Sequence, residues 1–177
     1  LAMAPFNAWP VLFVTLPALI WLTDGAGGGR YNGLPAAAIA GWSFGFGYFV
    51  AGIYWVGHAF LVDAKTFGWL LPVAVAGLPA YLALYTAAGL VAARLMWTRG
   101  PERLVTFALT MTVMEWLRGH LLTGFPWNTF GYALTEPLVL AQSASVIGVW
   151  GLTFVALLIF TTPALLTDDA VDTPRPR

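Results

Sequence analysis

The stretch that decides the fold runs from Leu34 to Val62 and reads LPAAAIAGWSFGFGYFVAGIYWVGHAFLV. None of its 29 residues is Asp, Glu, Lys or Arg. At a rise of about 1.5 Å per residue, a helix of this length reaches about 43 Å, more than the roughly 30 Å hydrocarbon core of a bilayer. The stretch therefore predicts a membrane-spanning helix that tilts or protrudes from the bilayer.

The composition extends this prediction to the whole chain. Of its 177 residues, 59% are hydrophobic and 9% are charged, and the mean hydropathy is +0.78. A soluble domain carries about 25% charged residues, so this chain has too few charges to coat a surface that faces water. The apolar runs are long and continuous, which favours spanning helices over the alternating strands of a membrane barrel.

The charge balance and the absence of cysteine exclude several functional classes. Eight Lys and Arg residues balance eight Asp and Glu residues, so the chain offers no basic face to a nucleic acid. With no cysteine, this chain has no disulfide, no Cys-ligated zinc and no thiol nucleophile. Two histidines cannot build a metal cluster by themselves. We expect no metal and no cofactor.

Charged loops divide the chain into five predicted spans, and Pro10 and Pro17 predict a bent first helix. The predicted spans are residues 3–23, 34–62, 69–93, 104–123 and 138–166. Together they form one transmembrane helical domain over residues 1–166, and residues 167–177 form a disordered polar tail. The sequence therefore predicts an all-α membrane protein, a bundle of about five transmembrane helices with an aromatic periplasmic loop.

The distribution of Lys and Arg predicts the orientation of the bundle. The loops at residues 24–33, 94–103 and 167–177 hold six of these residues, whereas the opposite loops hold two. Because cytoplasmic loops carry the excess of Lys and Arg, the first group is predicted to be cytoplasmic. The N-terminus of this chain is then outside. Since the chain starts there without Met, we expect that an earlier helix is missing and that the chain is a fragment of a larger bundle.

Glu115 lies within the fourth predicted span, about 16 Å along the helix from Leu104 and thus near mid-bilayer depth. An ionisable side chain at that depth is costly and normally faces a partner or a water-filled cavity. Arg118 follows three residues later on the same helix face. Glu115 and Arg118 are predicted either to form an ion pair or to bind a polar lipid headgroup.

The loop after this span has an unusual composition and reads GHLLTGFPWNTFGY from Gly119 to Tyr132. Pro126 prevents a continuing helix, and the neighbouring aromatic residues are too apolar for a solvated connection. Non-helical backbone at membrane depth is tolerated where it is buried in protein or lines a cavity. Two interpretations follow, a site for an acyl chain that enters from the lipid and a loop that packs against a neighbouring domain.

Other features have simpler interpretations. Gly41, Gly45 and Gly52 lie near one face of the second span and predict close packing against another helix. His58 lies near the outer end of that span and is predicted to be an interfacial histidine.

The segments MEWLRG and LTGFPWNTFGY, between Met114 and Tyr132, resemble the signature of bacterial apolipoprotein N-acyltransferases. Four further segments resemble the same family in the same order. They are APFNAWP (Ala4–Pro10), GFGYFVAGIYWV (Gly45–Val56), AYLALY (Ala80–Tyr85) and IGVWGLTF (Ile147–Phe154). The resemblance covers residues 4–166.

The resemblance implies an enzyme of the bacterial inner membrane that moves an acyl chain from a phospholipid donor to the amino group of a diacylglyceryl-cysteine lipoprotein acceptor. It also implies a periplasmic nitrilase-like domain with a Glu–Lys–Cys set, whose Cys forms a thioester with the acyl chain. This chain has no Cys, so it contains no catalytic nucleophile and is expected to be inactive alone. The residues expected to line the lipid site are Glu115, Arg118, Gly124, Phe125, Pro126, Trp127 and Tyr132.

Two other function classes remain open from the residues alone. One is a small polytopic carrier or channel that uses Glu115 and His58 as intramembrane polar groups, and the other is a structural membrane subunit without catalysis. A transporter is expected to show repeated half-structures with interrupted helices in matching positions. We find no convincing internal repeat, which disfavours the carrier.

The predicted orientation can be tested with single cysteines, because the chain has none of its own. In intact cells, an impermeant maleimide should label Thr66→Cys, in a loop predicted to be periplasmic, and should leave Arg99→Cys unlabelled until the membrane is permeabilised. Strong labelling of Arg99→Cys in intact cells, with none of Thr66→Cys, would reverse the assignment.

Overall fold

The computed structural model describes residues 7–26, 29–98, 100–122, 124–136 and 138–167, so the predicted polar tail after Thr167 lies outside the described residues. The described residues form helices and contain no strand, which confirms the all-helical fold. The α-helices are α1 (Leu12–Gly25), α2 (Gly29–Asn32), α3 (Leu34–Ile53), α4 (Ala64–Phe67), α5 (Leu78–Leu95), α6 (Glu102–His120) and α7 (Leu138–Thr161).

Short segments of other helical types extend the long α-helices. A 3₁₀ helix at Tyr54–Leu61 continues α3, and another at Thr162–Thr167 continues α7. Within the described residues, three helical stretches are long and apolar enough to cross a membrane, namely Leu34–Leu61, Ala64–Leu95 and Leu138–Leu166. These stretches match the second, third and fifth predicted spans.

The first and fourth predicted spans do not meet the length and composition of a membrane-crossing helix. The stretch Trp9–Gly25 is apolar but shorter than a full crossing. Helix α6 has 19 residues, or about 28 Å, but it contains four charged residues. The structure therefore supports a membrane helix bundle, and the number of five spans stays a prediction.

Helix irregularities occur at specific residues. A π-helical turn, Val73–Gly77, lies between Pro72 and Pro79. Pro79 itself lies in the first turn of α5, where a missing backbone N–H is tolerated. Gly148 interrupts α7 with φ 69° and ψ 175°, a conformation that is essentially restricted to glycine.

Helices α3 and α5 pack closely because small residues line their contact. A Cβ atom on Gly41 would lie 2.9 Å from the Ala87 Cα and from the Thr86 carbonyl oxygen. A Cβ atom on Gly45 would lie 2.7 Å from Thr86 Oγ1. The predicted helix packing is therefore confirmed for Gly41 and Gly45. Helix α5 also packs on α6, which in turn packs on α7, and α1 contacts both α7 and α3.

One end of the bundle, which we call the arginine end, is held together by Asp24, Arg94, Trp97 and Arg103. Asp24 in α1 accepts a hydrogen bond from Trp97 Nε1 at 2.8 Å and lies 3.4 Å from Arg103 Nε at the start of α6. The Arg94 Nη2 atom donates to the Ala26 carbonyl at 2.6 Å. These contacts tie the end of α1 to the end of α5 and the beginning of α6.

The packing of α3 on α5 can be tested with two glycines of the same helix. Gly41→Val should lower the free energy of unfolding in detergent by about 1–3 kcal/mol, because its side chain would meet backbone atoms of α5. Gly47→Val is the matched control, since Gly47 is exposed and a Cβ there meets no atom within 4 Å. Equal stability of Gly41→Val and Gly47→Val would contradict this packing.

Candidate functional site

The last two turns of α6 carry a buried ion pair. Glu115 is 5% exposed and Arg118 is 2% exposed. The Arg118 Nη2 atom donates to Glu115 Oε1 at 3.1 Å. The ion pair predicted from the three-residue spacing is therefore present, and both charges are withdrawn from solvent and lipid.

Arg118 also binds the segment that follows α6, residues 124–132, which we call the aromatic loop. Its Nη1 atom donates to the backbone carbonyls of Phe125 and Trp127, the latter at 2.8 Å. The guanidinium carbon lies 5.0 Å from the ring centroid of Phe49 in α3, within the range of a cation–π contact. One buried arginine thus satisfies two carbonyls of a non-helical segment.

Two further hydrogen bonds connect α6 to both ends of the aromatic loop. Glu115 Oε2 accepts the Phe130 backbone N–H at 3.2 Å. The Arg118 backbone carbonyl accepts the Phe125 N–H at 2.9 Å. The ion pair is therefore the point at which the loop backbone is attached to α6.

The neighbouring helices hold the loop from two other sides. In α3, the Tyr48 hydroxyl donates to the Asn128 carbonyl at 2.9 Å. In α7, Thr153 Oγ1 accepts the Gly131 N–H at 3.2 Å. Tyr48 and Thr153 are not among the site residues predicted from the sequence, because each contact joins residues that are far apart in the chain. The one available signal is that both residues lie in segments that carry the family resemblance.

The loop backbone requires glycine at two positions. Gly124 has φ +68°, and a Cβ there would lie 2.5 Å from the Gly119 carbonyl oxygen. Gly131 packs so closely on α7 that a Cβ would lie 2.8 Å from the Thr153 nitrogen. Asn128 adopts φ 54°, which is uncommon for a residue with a side chain, although Asn tolerates it better than most.

The opposite face of the loop is aromatic and open. Trp127 is 54% exposed, and Pro126 beside it is also exposed. The Trp127 ring contacts the Trp55 ring, with centroids 5.5 Å apart, and the half-buried Phe125 ring lies 6.4 Å away. The loop thus presents exposed apolar side chains on one face, while several of its backbone groups are hydrogen-bonded to the neighbouring helices on the other.

The structure brings most of the predicted site residues together. Glu115, Arg118, Phe125 and Trp127 share direct contacts, and Gly124 and Pro126 adjoin Phe125 in the loop. Tyr132 lies further along, on the 3₁₀ turn Phe130–Leu134, and is 42% exposed.

The structure also shows the surroundings of Gly52 and His58, for which the sequence predicted structural roles. Gly52 does not serve the packing of α3 against another helix, because the atoms that its Cβ would meet belong to the Asn128 side chain. The prediction that Gly52 packs against another helix is therefore wrong, because its close neighbour is a residue of the loop. His58 is exposed, and its Nδ1 atom lies 3.2 Å from the Trp55 carbonyl oxygen.

Comparisons with known proteins show that the sequence of this chain is similar to that of one family. Residues 1–161 match the family described as Apolipoprotein N-acyltransferase N-terminal domain. A protein named Apolipoprotein N-acyltransferase from Rhodopseudomonas palustris is 65% identical over 99% of this chain, and one of the same name from Bradyrhizobium diazoefficiens is 61% identical over 97%. A third, from Rhizobium rhizogenes, is 48% identical over 94%. The chain spans about a third of the length of these curated relatives, 33%, 32% and 32% respectively.

The role of the ion pair can be tested by Glu115→Gln. This change leaves the Arg118 charge buried without a carboxylate, so the free energy of unfolding in detergent should fall by about 3–5 kcal/mol. The Phe130 amide should also exchange its hydrogen faster, because Glu115 is its acceptor. Hydrogen exchange and chemical denaturation measure the two effects.

Glu102→Gln is the matched control, since Glu102 is exposed in the first turn of the same helix. Its effect should stay below about 1 kcal/mol. A Glu115→Gln variant that is as stable as Glu102→Gln, with unchanged protection of the Phe130 amide, would show that the pair does not support the loop.

Proposed function

The chain belongs to the Apolipoprotein N-acyltransferase N-terminal domain family, and we propose that it is the membrane part of an enzyme that acylates lipoproteins. The proposed reaction moves an acyl chain from a phospholipid to the amino group of an N-terminal diacylglyceryl-cysteine. The observation that carries this proposal is the family match over residues 1–161, together with relatives of that name at up to 65% identity. Family membership favours this function over a carrier or a structural subunit.

The proposed chemistry assigns the reacting groups to a part of the enzyme outside these 177 residues. A thiolate attacks the phospholipid ester and forms a thioester, and the lysophospholipid leaves. The lipoprotein amine then attacks the thioester, forms an amide and releases the thiol. No residue of this chain can be that nucleophile, because the chain has no cysteine, and we expect no acyl transfer by the chain alone.

The aromatic loop is the part of this chain that we assign to the lipid substrate. Trp127 and Pro126 are exposed at the end of the bundle where α6 ends, and Phe125 lies beneath them. A tryptophan at such a position can cover an acyl chain with its ring while its N–H binds a polar group. Glu115 and Arg118 contribute as the support under this surface, since their polar atoms bind the loop backbone.

The two other predicted site residues, Gly124 and Tyr132, contribute to the conformation and the exposed side chains of the loop. Gly124 permits the turn that leads from α6 into Phe125, and Tyr132 is a further exposed aromatic residue on the following 3₁₀ turn. We propose that this surface faces three partners, the phospholipid donor, the lipoprotein acceptor and a nitrilase-like domain of the same enzyme.

We further propose that the protein lies in the bacterial inner membrane with the aromatic loop at the periplasmic side and the arginine end at the cytoplasmic side. Arg94 and Arg103 lie at the arginine end, where they contact Ala26 and Asp24, whereas Arg118 lies at the other end of α6 beside the aromatic loop. This separation supports the orientation expected from the Lys and Arg distribution.

The lipid role of the loop predicts the behaviour of Trp127→Ala in the intact enzyme. Formation of the acyl-enzyme should slow by about tenfold or more, a loss of about 1.4 kcal/mol of transition-state stabilisation. Because Trp127 is 54% exposed, its removal should cost less stability than the about 3–5 kcal/mol of a core aromatic residue, so the enzyme should remain in the membrane. Membrane abundance and acyl-enzyme formation are measured on the same sample.

Trp69→Ala is the matched control, because Trp69 is a 71% exposed tryptophan outside the aromatic loop. It should leave acyl-enzyme formation per molecule unchanged. Abundant Trp127→Ala enzyme that forms the acyl-enzyme at the normal rate would remove the loop from the lipid site.

A further inference from the structure

We propose that Tyr48 is a positioning residue that holds the Asn128 carbonyl and thereby sets the orientation in which the loop presents Trp127. Nothing in the family match or in the sequence pattern assigns a role to Tyr48. The functional part of this inference rests on the proposed role of the aromatic loop in binding the phospholipid donor.

The Tyr48 side chain is fixed at its ring as well as at its hydroxyl. Its ring stacks on Phe130 with centroids 4.9 Å apart and meets the Phe49 ring edge-on at 5.3 Å. The hydroxyl donates to the Asn128 carbonyl at 2.9 Å. Because aromatic contacts hold the ring from two directions, the hydroxyl is a preorganised donor with a defined position.

The acceptor of this hydrogen bond belongs to a strained residue. Asn128 follows Trp127 directly and has φ 54°, a conformation that costs energy for a residue with a Cβ. Such a conformation persists where surrounding contacts hold it in place. The Tyr48 hydroxyl is one such contact, and without it the Asn128 backbone is free to relax.

Two helices thus hold two consecutive loop carbonyls. Arg118 of α6 binds the Trp127 carbonyl at 2.8 Å, and Tyr48 of α3 binds the Asn128 carbonyl at 2.9 Å. Each of the two consecutive peptide units on either side of the Asn128 Cα thus has its carbonyl held, which restricts the backbone that follows Trp127 and with it the direction of the Trp127 side chain. If either bond is lost, that peptide unit can rotate.

Helix α3 and the 3₁₀ helix that follows it contact this part of the loop at three residues. Tyr48 and Gly52 are four residues apart in α3, which places them on one side of that helix, and Trp55 follows in the 3₁₀ helix Tyr54–Leu61. Gly52 leaves room for the Asn128 side chain, and the Trp55 ring contacts the Trp127 ring. Of these three contacts, the Tyr48 hydrogen bond is the directional one, so it is the one that defines orientation.

Tyr48→Phe tests the inference, because it deletes the hydroxyl and keeps both ring contacts. Tyr85→Phe is the matched control, since the hydroxyl that it deletes binds the Tyr81 hydroxyl of the same helix at 3.1 Å and not a carbonyl of the loop. The first measurement is the distance distribution between nitroxide labels on Pro126→Cys and Val62→Cys in this cysteine-free chain, by pulsed electron paramagnetic resonance. Both labelled positions are exposed. Tyr48→Phe should broaden or shift the distribution, and Tyr85→Phe should leave it unchanged.

The second measurement separates positioning from a general loss of structure. In the intact enzyme, Tyr48→Phe should slow acyl-enzyme formation from phospholipid by about fivefold, the effect of one neutral hydrogen bond. Transfer from a preformed acyl-enzyme to a diacylglyceryl-cysteine peptide should be unchanged. A purely structural role would reduce both steps equally, through the amount of folded enzyme.

The two measurements distinguish failure of this inference from failure of the proposed function. A distance distribution in Tyr48→Phe that equals that of Tyr85→Phe would overturn the inference. A disturbed distribution with normal acyl-enzyme formation would overturn the lipid role of the loop, and the functional part of the inference with it. Equal slowing of both reaction steps would overturn the positioning role.

Discussion

The buried Arg118 guanidinium is the group on which the loop end of the structure depends. An arginine cannot lose its charge at ordinary pH, so at 2% exposure its donors require acceptors within the protein. Glu115 supplies one, and the carbonyls of Phe125 and Trp127 supply others. These carbonyls belong to a non-helical segment, whose polar groups would themselves be unsatisfied at membrane depth. The buried guanidinium and the loop carbonyls therefore satisfy each other's hydrogen-bonding requirements.

This mutual dependence explains why the loop can carry an apolar surface. Backbone groups of five loop residues are hydrogen-bonded to α6, α3 and α7 through Arg118, Glu115, Tyr48 and Thr153, namely those of Phe125, Trp127, Asn128, Phe130 and Gly131. The outward side is then left to side chains, among them Trp127. A substrate-binding surface gains precision when its support is preorganised before the ligand arrives. Such a support fits the role in binding the phospholipid donor that we propose for the aromatic loop.

The sequence predicted the parts of this site that local spacing determines. Glu115 and Arg118 are three residues apart on one helix, so their pairing follows from helix geometry alone. Tyr48 and Thr153 could not be found in this way, because their partners lie 80 and 22 residues away and depend on how the helices pack. Gly52 shows the same limit. A glycine in an apolar helix predicts a close neighbour, but only the folded structure shows that this neighbour is Asn128 in the loop.

Helix α6 illustrates why charge counts alone mislead in such a bundle. Its charged residues exclude it from the helices that qualify as spans by composition. Three of its charges are nevertheless paired, Arg103 with Asp24 and Glu115 with Arg118, and these pairs lie about 18 Å apart along the helix. Pairing and burial lower the cost of an ionisable side chain within a membrane, and such residues face the interior of a bundle. Since α6 packs between α5 and α7, it can cross with its charges turned inward, and the expected fourth span is physically reasonable despite its composition.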